Sequence, residues 1–228
     1  MNPITLIGTI TVVVLSITTH EAAHGFVADR LGDPTARRLG RLTLNPIPHI
    51  DLFFTILLPA MLILFGSNII FGGAKPVPVN ISLLRKPRHD WAVVGAAGPI
   101  ANLLIALLLA ALLSLMIHTG LWTRSSSGTE VFVIGIFVNA LLAIFNLIPI
   151  PPLDGSRVVQ YFLPPEALKF YSGMERYGLL IIVAMVFFLP GFQAFLFGAI
   201  LSAVSVISHI FGIYSDVIYV LQKLLSRS

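Results

Sequence analysis

Apolar and polar positions divide the chain into five long apolar runs, at roughly 4–28, 52–72, 92–117, 130–148 and 177–213. A membrane-spanning helix needs about 20 mostly apolar residues, so each of the first four runs has the length of one span. The fifth has about twice that length and contains Pro190-Gly191, which predicts a hairpin of two helices broken there. Two basic stretches separate the runs, one with Arg30, Arg37, Arg38 and Arg41, the other with Lys75, Arg85, Lys86 and Arg88. A short polar stretch at 123–130 and a mixed one at 149–176 complete the connectors. None reaches the ~50 residues of a small folded domain. The pattern predicts an all-α polytopic membrane protein with five to six membrane segments, forming a single domain over 1–228 whose C-terminal helices lie at about 177–222.

One connector breaks the helical pattern. Residues 71–80, Phe-Gly-Gly-Ala-Lys-Pro-Val-Pro-Val-Asn, cannot be helical through both prolines. Their Val/Pro alternation predicts a short membrane-associated strand or loop at about 73–80, with an edge on which another extended peptide can pair. The preceding run, 52–72, holds Pro59 and Gly66-Ser67-Asn68 and is followed by Gly73, which predicts a re-entrant or otherwise non-crossing element.

Composition agrees with the pattern. The 228 residues are 57% hydrophobic and 11% charged, with a mean hydropathy of +0.94, well outside globular norms. The net charge of +4 comes from clusters between apolar runs, which speaks to membrane orientation and not to nucleic acid. There is no cysteine, so disulfides and thiolate ligands are excluded, and a zinc site would have to use His and carboxylate. No Lys or Arg precedes the first apolar run, so it reads as a retained segment and not as a signal peptide.

Candidate chemistry sits at the end of that first run, in His20-Glu21-Ala22-Ala23-His24. Ionisable groups are costly near lipid and are functional candidates there. Positions 20 and 24 share one helix face, so both imidazoles can bind one ion, and Glu21 lies beside them, placed to take a proton from an activated water. This is the H-E-x-x-H arrangement of zinc metalloproteases. A catalytic zinc needs a third ligand, and the best candidate is Asp154, in the stretch Asn146-Leu-Ile-Pro149-Ile-Pro151-Pro152-Leu-Asp154-Gly155. Its prolines end a helix and free backbone groups, tolerated at membrane depth only beside a protein-lined cavity. Asn146 and Asn102, the latter in Gly98-Pro99-Ile-Ala-Asn102, supply uncharged donors.

Together these residues resemble the site-2 protease family of intramembrane zinc metalloproteases. The match consists of the His20–His24 motif, Gly98-Pro99 with Asn102, and the series from Asn146 to Gly155, in family order over roughly 15–160. The resemblance implies one Zn²⁺ held by His20, His24 and Asp154, Glu21 as general base and Asn146 as a stabiliser of the tetrahedral intermediate. It implies a core at about 4–160, transmembrane protein substrates cut in or near their helices (regulated intramembrane proteolysis), a bilayer setting and no nucleic-acid partner. Lys75, Val77 and Val79 look like the short membrane-associated loop of compact bacterial and archaeal members; with Asn102 they are the candidate substrate contacts. Many relatives also carry a PDZ or CBS domain, for which no connector here is long enough. With the N-terminus outside and 52–72 not crossing, both basic clusters become cytoplasmic, which places the site near the cytoplasmic face of an expected prokaryotic inner membrane.

Blander readings exist for the same residues. Asp154 is also a natural N-cap for a helix over 156–162, and Asn102 can simply clasp two helices. The alternative function is a metal-ion or proton transporter, since intramembrane His, Glu and Asp also line ion paths. Against it, the ionisable residues concentrate at one place instead of forming a chain across the membrane. A non-catalytic protein that only holds helices is disfavoured by the intact Glu21.

Overall fold

The first helix, α1 (Pro3–Arg30), starts where Pro3 pre-sets a helical φ and the Asn2 side chain accepts from the Thr5 N–H at 2.7 Å. The structure, a computed structural model, describes residues 2–51, 57, 61, 64, 73–189 and 191–226. After α1 come the short α2 (Thr35–Arg38) and two long helices, α3 (Pro87–His118) and α4 (Ser127–Asn146). Beyond the proline break lie α5 (Asp154–Phe162), α6 (Pro165–Gly173), α7 (Gly178–Phe188), α8 (Phe192–Ile210) and α9 (Tyr214–Leu225). Among the described residues five helical stretches are long and apolar enough to cross a membrane: 3–30, 87–118, 127–146, 165–188 and 192–210. This is the predicted polytopic α-helical architecture.

Contacts at the helix ends orient the bundle. Asn2 Nδ2 donates to Ser127 Oγ at 2.9 Å and Thr5 Oγ1 to Glu130 Oε2 at 3.3 Å, so α1 and α4 start together and run parallel. The Arg85 N–H donates to Leu31 O at 3.0 Å, which brings the start of α3 to the end of α1. Ser114 Oγ donates to Phe211 O at 2.7 Å, so α8 ends beside the end of α3. Small residues allow the close crossings that membrane helices use. A Cβ at Gly8 would stand 2.7 Å from Val131, and one at Gly135 would stand 2.8 Å from both Val12 and Leu109. Ala106, Ala110 and Leu113 of α3, Val133, Ile136 and Ala140 of α4 and Ile200, Val204 and Ile207 of α8 form one core, capped by Val217 and Val220 of α9. Leu104, Leu108 and Phe195 point outward, as lipid-facing residues do.

The expectation of a non-crossing element at 52–72 falls mostly outside the described residues. Its flanks are described, and they meet: the Lys75 N–H donates to His49 O at 2.8 Å. With the Arg85–Leu31 bond, this makes the whole connector from α1 to α3 leave and return at one end of the bundle. Residues 73–80 are not helical, as their prolines require, and form no strand among the described residues. Side chains hold them instead. Arg41 Nη2 donates to Lys75 O at 2.7 Å, and buried Asp33 accepts from the Asn80 N–H at 2.6 Å. The expected break in the last apolar run is present: Gly191, at φ 86°, precedes α8, a conformation that suits glycine.

Candidate metal centre

Three elements converge where α1, α3 and α5 meet. His20 and His24 point from α1, one turn apart, and α5 carries Asp154 to them. Asp154 Oδ2 lies 3.0 Å from His20 Nε2 and 3.2 Å from His24 Nε2, and the two Nε2 atoms are 3.2 Å apart. All three side chains are buried. Asp154 is the first residue of α5, whose N-cap is Leu153, and its carboxylate turns to the two histidines and Arg157, so the N-cap reading fails.

The outer partners fix both imidazole tautomers. His24 Nδ1 is 2.7 Å from Val94 O, and a carbonyl only accepts, so Nδ1 carries the hydrogen and Nε2 offers a lone pair. His20 Nδ1 is 2.5 Å from Asn102 Oδ1. The Asn102 amide nitrogen is engaged elsewhere, donating to Ser16 O at 3.3 Å and Asn139 Oδ1 at 2.9 Å, so its oxygen faces His20 and Nδ1 is again the donor. Asn139 Nδ2 in turn donates to Ser16 Oγ at 2.8 Å. Two lone pairs and a carboxylate oxygen thus face one another in a buried space, an arrangement that a cation stabilises.

The donor set fits zinc. Tetrahedral zinc, with bonds of about 2.0–2.2 Å, needs ligand atoms about 3.3–3.5 Å apart, and the observed 3.0–3.2 Å is close to that. Outward hydrogen bonds from both imidazoles are the usual support of metal-binding histidines. Space is kept by Gly98 of α3, where a Cβ would stand 2.5 Å from His24 Nε2 and 2.6 Å from His20 Nε2.

Other predicted residues stand at different distances from this cluster. Glu21 Oε2 accepts the backbone N–H of Val77 at 2.9 Å, which ties the 73–80 segment to α1. Val77 is buried against Gly25, whereas Lys75 is exposed and Val79 half-buried. Asn102 reaches His20 and so orients that imidazole. Asn146 donates to Leu142 O of its own helix at 2.9 Å and makes no hydrogen bond to His20, His24 or Asp154. Beside the motif, Thr19, Ala22, Ala23, Phe26, Leu42, Thr43 and Leu44 line a hollow of about 310 Å³.

Sequence reasoning missed four supports. Asn139 and Ser16 complete the Asn102 network, the Val94 carbonyl orients His24, and Arg157 Nη1 lies 3.2 Å from Asp154 Oδ1. Only Arg157 left a signal, a cation one helical turn after Asp154; the others depend on how helices cross.

Relatives match this site over most of the chain. The profile of Peptidase family M50 covers residues 8–129 and 115–189. YwhC of Bacillus subtilis (strain 168) is 41% identical over 175 residues, which is 75% of this chain and 76% of that protein. Rip2 of Mycolicibacterium smegmatis is 30% identical over 193 residues, 81% of this chain and 70% of its own length. Rip2 of Mycobacterium tuberculosis (strain H37Rv) is 30% identical over 189 residues, 82% and 68% of the two chains. All three are assigned by name as zinc metalloproteases. No solved structure matches. With these matches and a buried His-His-Asp donor set, the chain belongs to peptidase family M50, the site-2 protease family, and is a multi-pass zinc metalloprotease of the membrane.

Proposed function

We propose that this protease hydrolyses peptide bonds in or near the transmembrane helices of membrane proteins, as in regulated intramembrane proteolysis, with 1–228 acting as one protease domain. The observation that carries the reading is the convergence of His20, His24 and Asp154 within 3.0–3.2 Å among apolar helices, with Glu21 on the same motif. His20, His24 and Asp154 are the zinc ligands in this reading. Zinc held there would supply a Lewis acid and lower the pKa of a water to ~7. Glu21 takes a proton from the attacking water at Oε1 while the Val77 N–H holds Oε2; the water oxygen bonds to the carbonyl carbon, and Glu21 returns the proton to the leaving amine as the C–N bond breaks. Asn146 releases Leu142 O and donates its amide to the developing oxyanion.

A helical substrate hides its carbonyls in internal hydrogen bonds, so the scissile stretch must unwind. The segment with Lys75, Val77 and Val79 offers an extended edge to hold it. Because the Val77 N–H also holds Glu21, docking on that edge and positioning of the base are mechanically linked. Asn102, assigned above to substrate, acts in this reading through His20.

The end of the bundle nearest the site carries Arg30, Arg37, Arg38, Arg41, Lys75, Arg85, Lys86 and Arg88, and the positive-inside rule assigns that end to the cytoplasm of a prokaryotic cell membrane. The decisive experiment reconstitutes the zinc-loaded protein with a single-span helix. Cleavage that stops with chelator and with Glu21→Gln supports the protease reading. Metal flux into liposomes without cleavage supports the transporter instead.

A further inference from the structure

Asp154 presents its two carboxylate oxygens to different partners. Oδ2 faces both imidazoles, while Oδ1 is engaged by the Arg157 guanidinium, with Nη1 at 3.2 Å. That guanidinium is itself held. It stacks over the Trp91 ring of α3 at 4.5 Å, and Trp91 Nε1 donates to Gln160 Oε1 on α5 at 3.2 Å. Gly95 is the gap in α3 that admits the arginine stem, since a Cβ there would stand 2.7 Å from Arg157 Cβ. The Arg157 side chain is only 22% exposed. An exposed ion pair one turn apart on a helix is free to swing and is worth little; this one is fixed in place by a second helix.

A carboxylate can bind an ion through one oxygen or through both. With both oxygens on the ion, Asp154 would take the fourth position that a catalytic zinc leaves for water and substrate. We propose that Arg157 is a positioning residue that restricts Asp154 to ligation through Oδ2 and so keeps that position open. The inference rests on the reading of His20, His24 and Asp154 as the ligands. Arginine suits the task because its planar fork stays protonated, pairs with a carboxylate oxygen and stacks on an aromatic face at the same time. Lysine would bring a charge and a donor without the stacking.

Cobalt(II) in place of zinc reads this directly, because its visible spectrum reports coordination number. The full chain, purified in detergent, stripped and loaded with cobalt, is expected to show the intense four-coordinate pattern. Arg157→Met keeps the contact with Trp91 but removes every donor. It should give the weaker five-coordinate pattern and an added first-shell oxygen in X-ray absorption, with metal content still near one per chain. Turnover of its zinc form should fall roughly 10–100-fold. Arg157→Lys, which restores a donor, should recover the four-coordinate pattern in part. Trp91→Leu, which frees the guanidinium without touching Asp154, should shift it partway. A folded, cobalt-loaded Arg157→Met with the wild-type spectrum overturns the inference; if that variant does not fold, a wild-type spectrum in Trp91→Leu does so. Failure of the wild-type chain to take up cobalt would instead overturn the ligand reading, and this inference with it.

Discussion

The backbone N–H of Val77 donates to Oε2 of Glu21 at 2.9 Å, across 56 positions of sequence. The proposed base is therefore anchored by a segment outside its own helix. That segment is suspended from Arg41 at Lys75 O and from Asp33 at the Asn80 N–H.

Replacing the Val77 amide with an ester should lower turnover. The substitution removes one hydrogen bond to a charged group, worth about 1.5–3 kcal/mol, or roughly 10–150-fold if it acts fully in the transition state. KM and zinc content should hold, because neither the ligands nor the side chain change. Val77→Ala, which keeps the N–H, should retain turnover close to wild type. Equal losses in the two variants would show that the Val77 side chain matters and the bond does not.

The base and the ligands should fail differently. Glu21→Gln should keep zinc and lose cleavage, since the donors survive and the proton acceptor does not. His20→Ala, His24→Ala and Asp154→Ala should lose metal as well. Near-stoichiometric zinc in purified Asp154→Ala would remove that residue from the ligand set.

Gly98→Ala adds one methyl at a crowded point of the site, 2.5–2.6 Å from both Nε2 atoms. Helices α1 and α3 must part or an imidazole must turn. Overpacking of this kind costs about 1–3 kcal/mol, which predicts zinc affinity lower by roughly 5–150-fold. Gly198→Ala, with nothing within 4 Å of the added carbon, is the control and should leave affinity unchanged.

The two asparagines should separate binding from turnover. Asn102→Ala leaves the His20 Nδ1–H and Asn139 Oδ1 without their partner, so zinc affinity should fall roughly 10–100-fold. Asn146→Ala should leave zinc in place and reduce turnover by roughly 10²–10³ if its amide reaches the oxyanion. A thermal shift with activity lost only in proportion to unfolded protein would assign Asn146 to helix packing.

His20, Glu21, His24 and Asp154 were legible because each violates its apolar surroundings, and the prolines before Asp154 mark a break that lipid alone would not tolerate. Asn139 and Ser16 were not: a lone polar residue within an apolar run acquires meaning only when helix crossing brings it to Asn102. The Val77 N–H is invisible in principle, since nearly every residue has one. Residues 73–80 show both sides of this. Two prolines make a non-helical backbone readable, but the partners of that backbone, Glu21, Arg41 and Asp33, are set by tertiary contacts.

The last prediction concerns which face of the membrane meets the site. The Arg85 N–H bond to Leu31 O joins the end of α1 to the start of α3, so the loops holding positions 37 and 86 lie at one end of the bundle whichever way it is inserted. The opposite end holds Arg124, 3.5 Å from Asp216, and Lys223, 2.6 Å from Glu130, so its cations face acids. The site end carries the larger excess of positive charge, and the positive-inside rule then orients the N-terminus outward. The chain has no cysteine, so single introduced cysteines label cleanly. Arg37→Cys, Lys86→Cys, Ser125→Cys and Lys169→Cys all replace exposed residues. In intact cells a membrane-impermeant thiol reagent should reach only position 125; in inverted vesicles it should reach 37, 86 and 169. If 52–72 instead crosses as a full span, position 86 reacts from outside while 37 reacts from inside, and that outcome would overturn the predicted orientation.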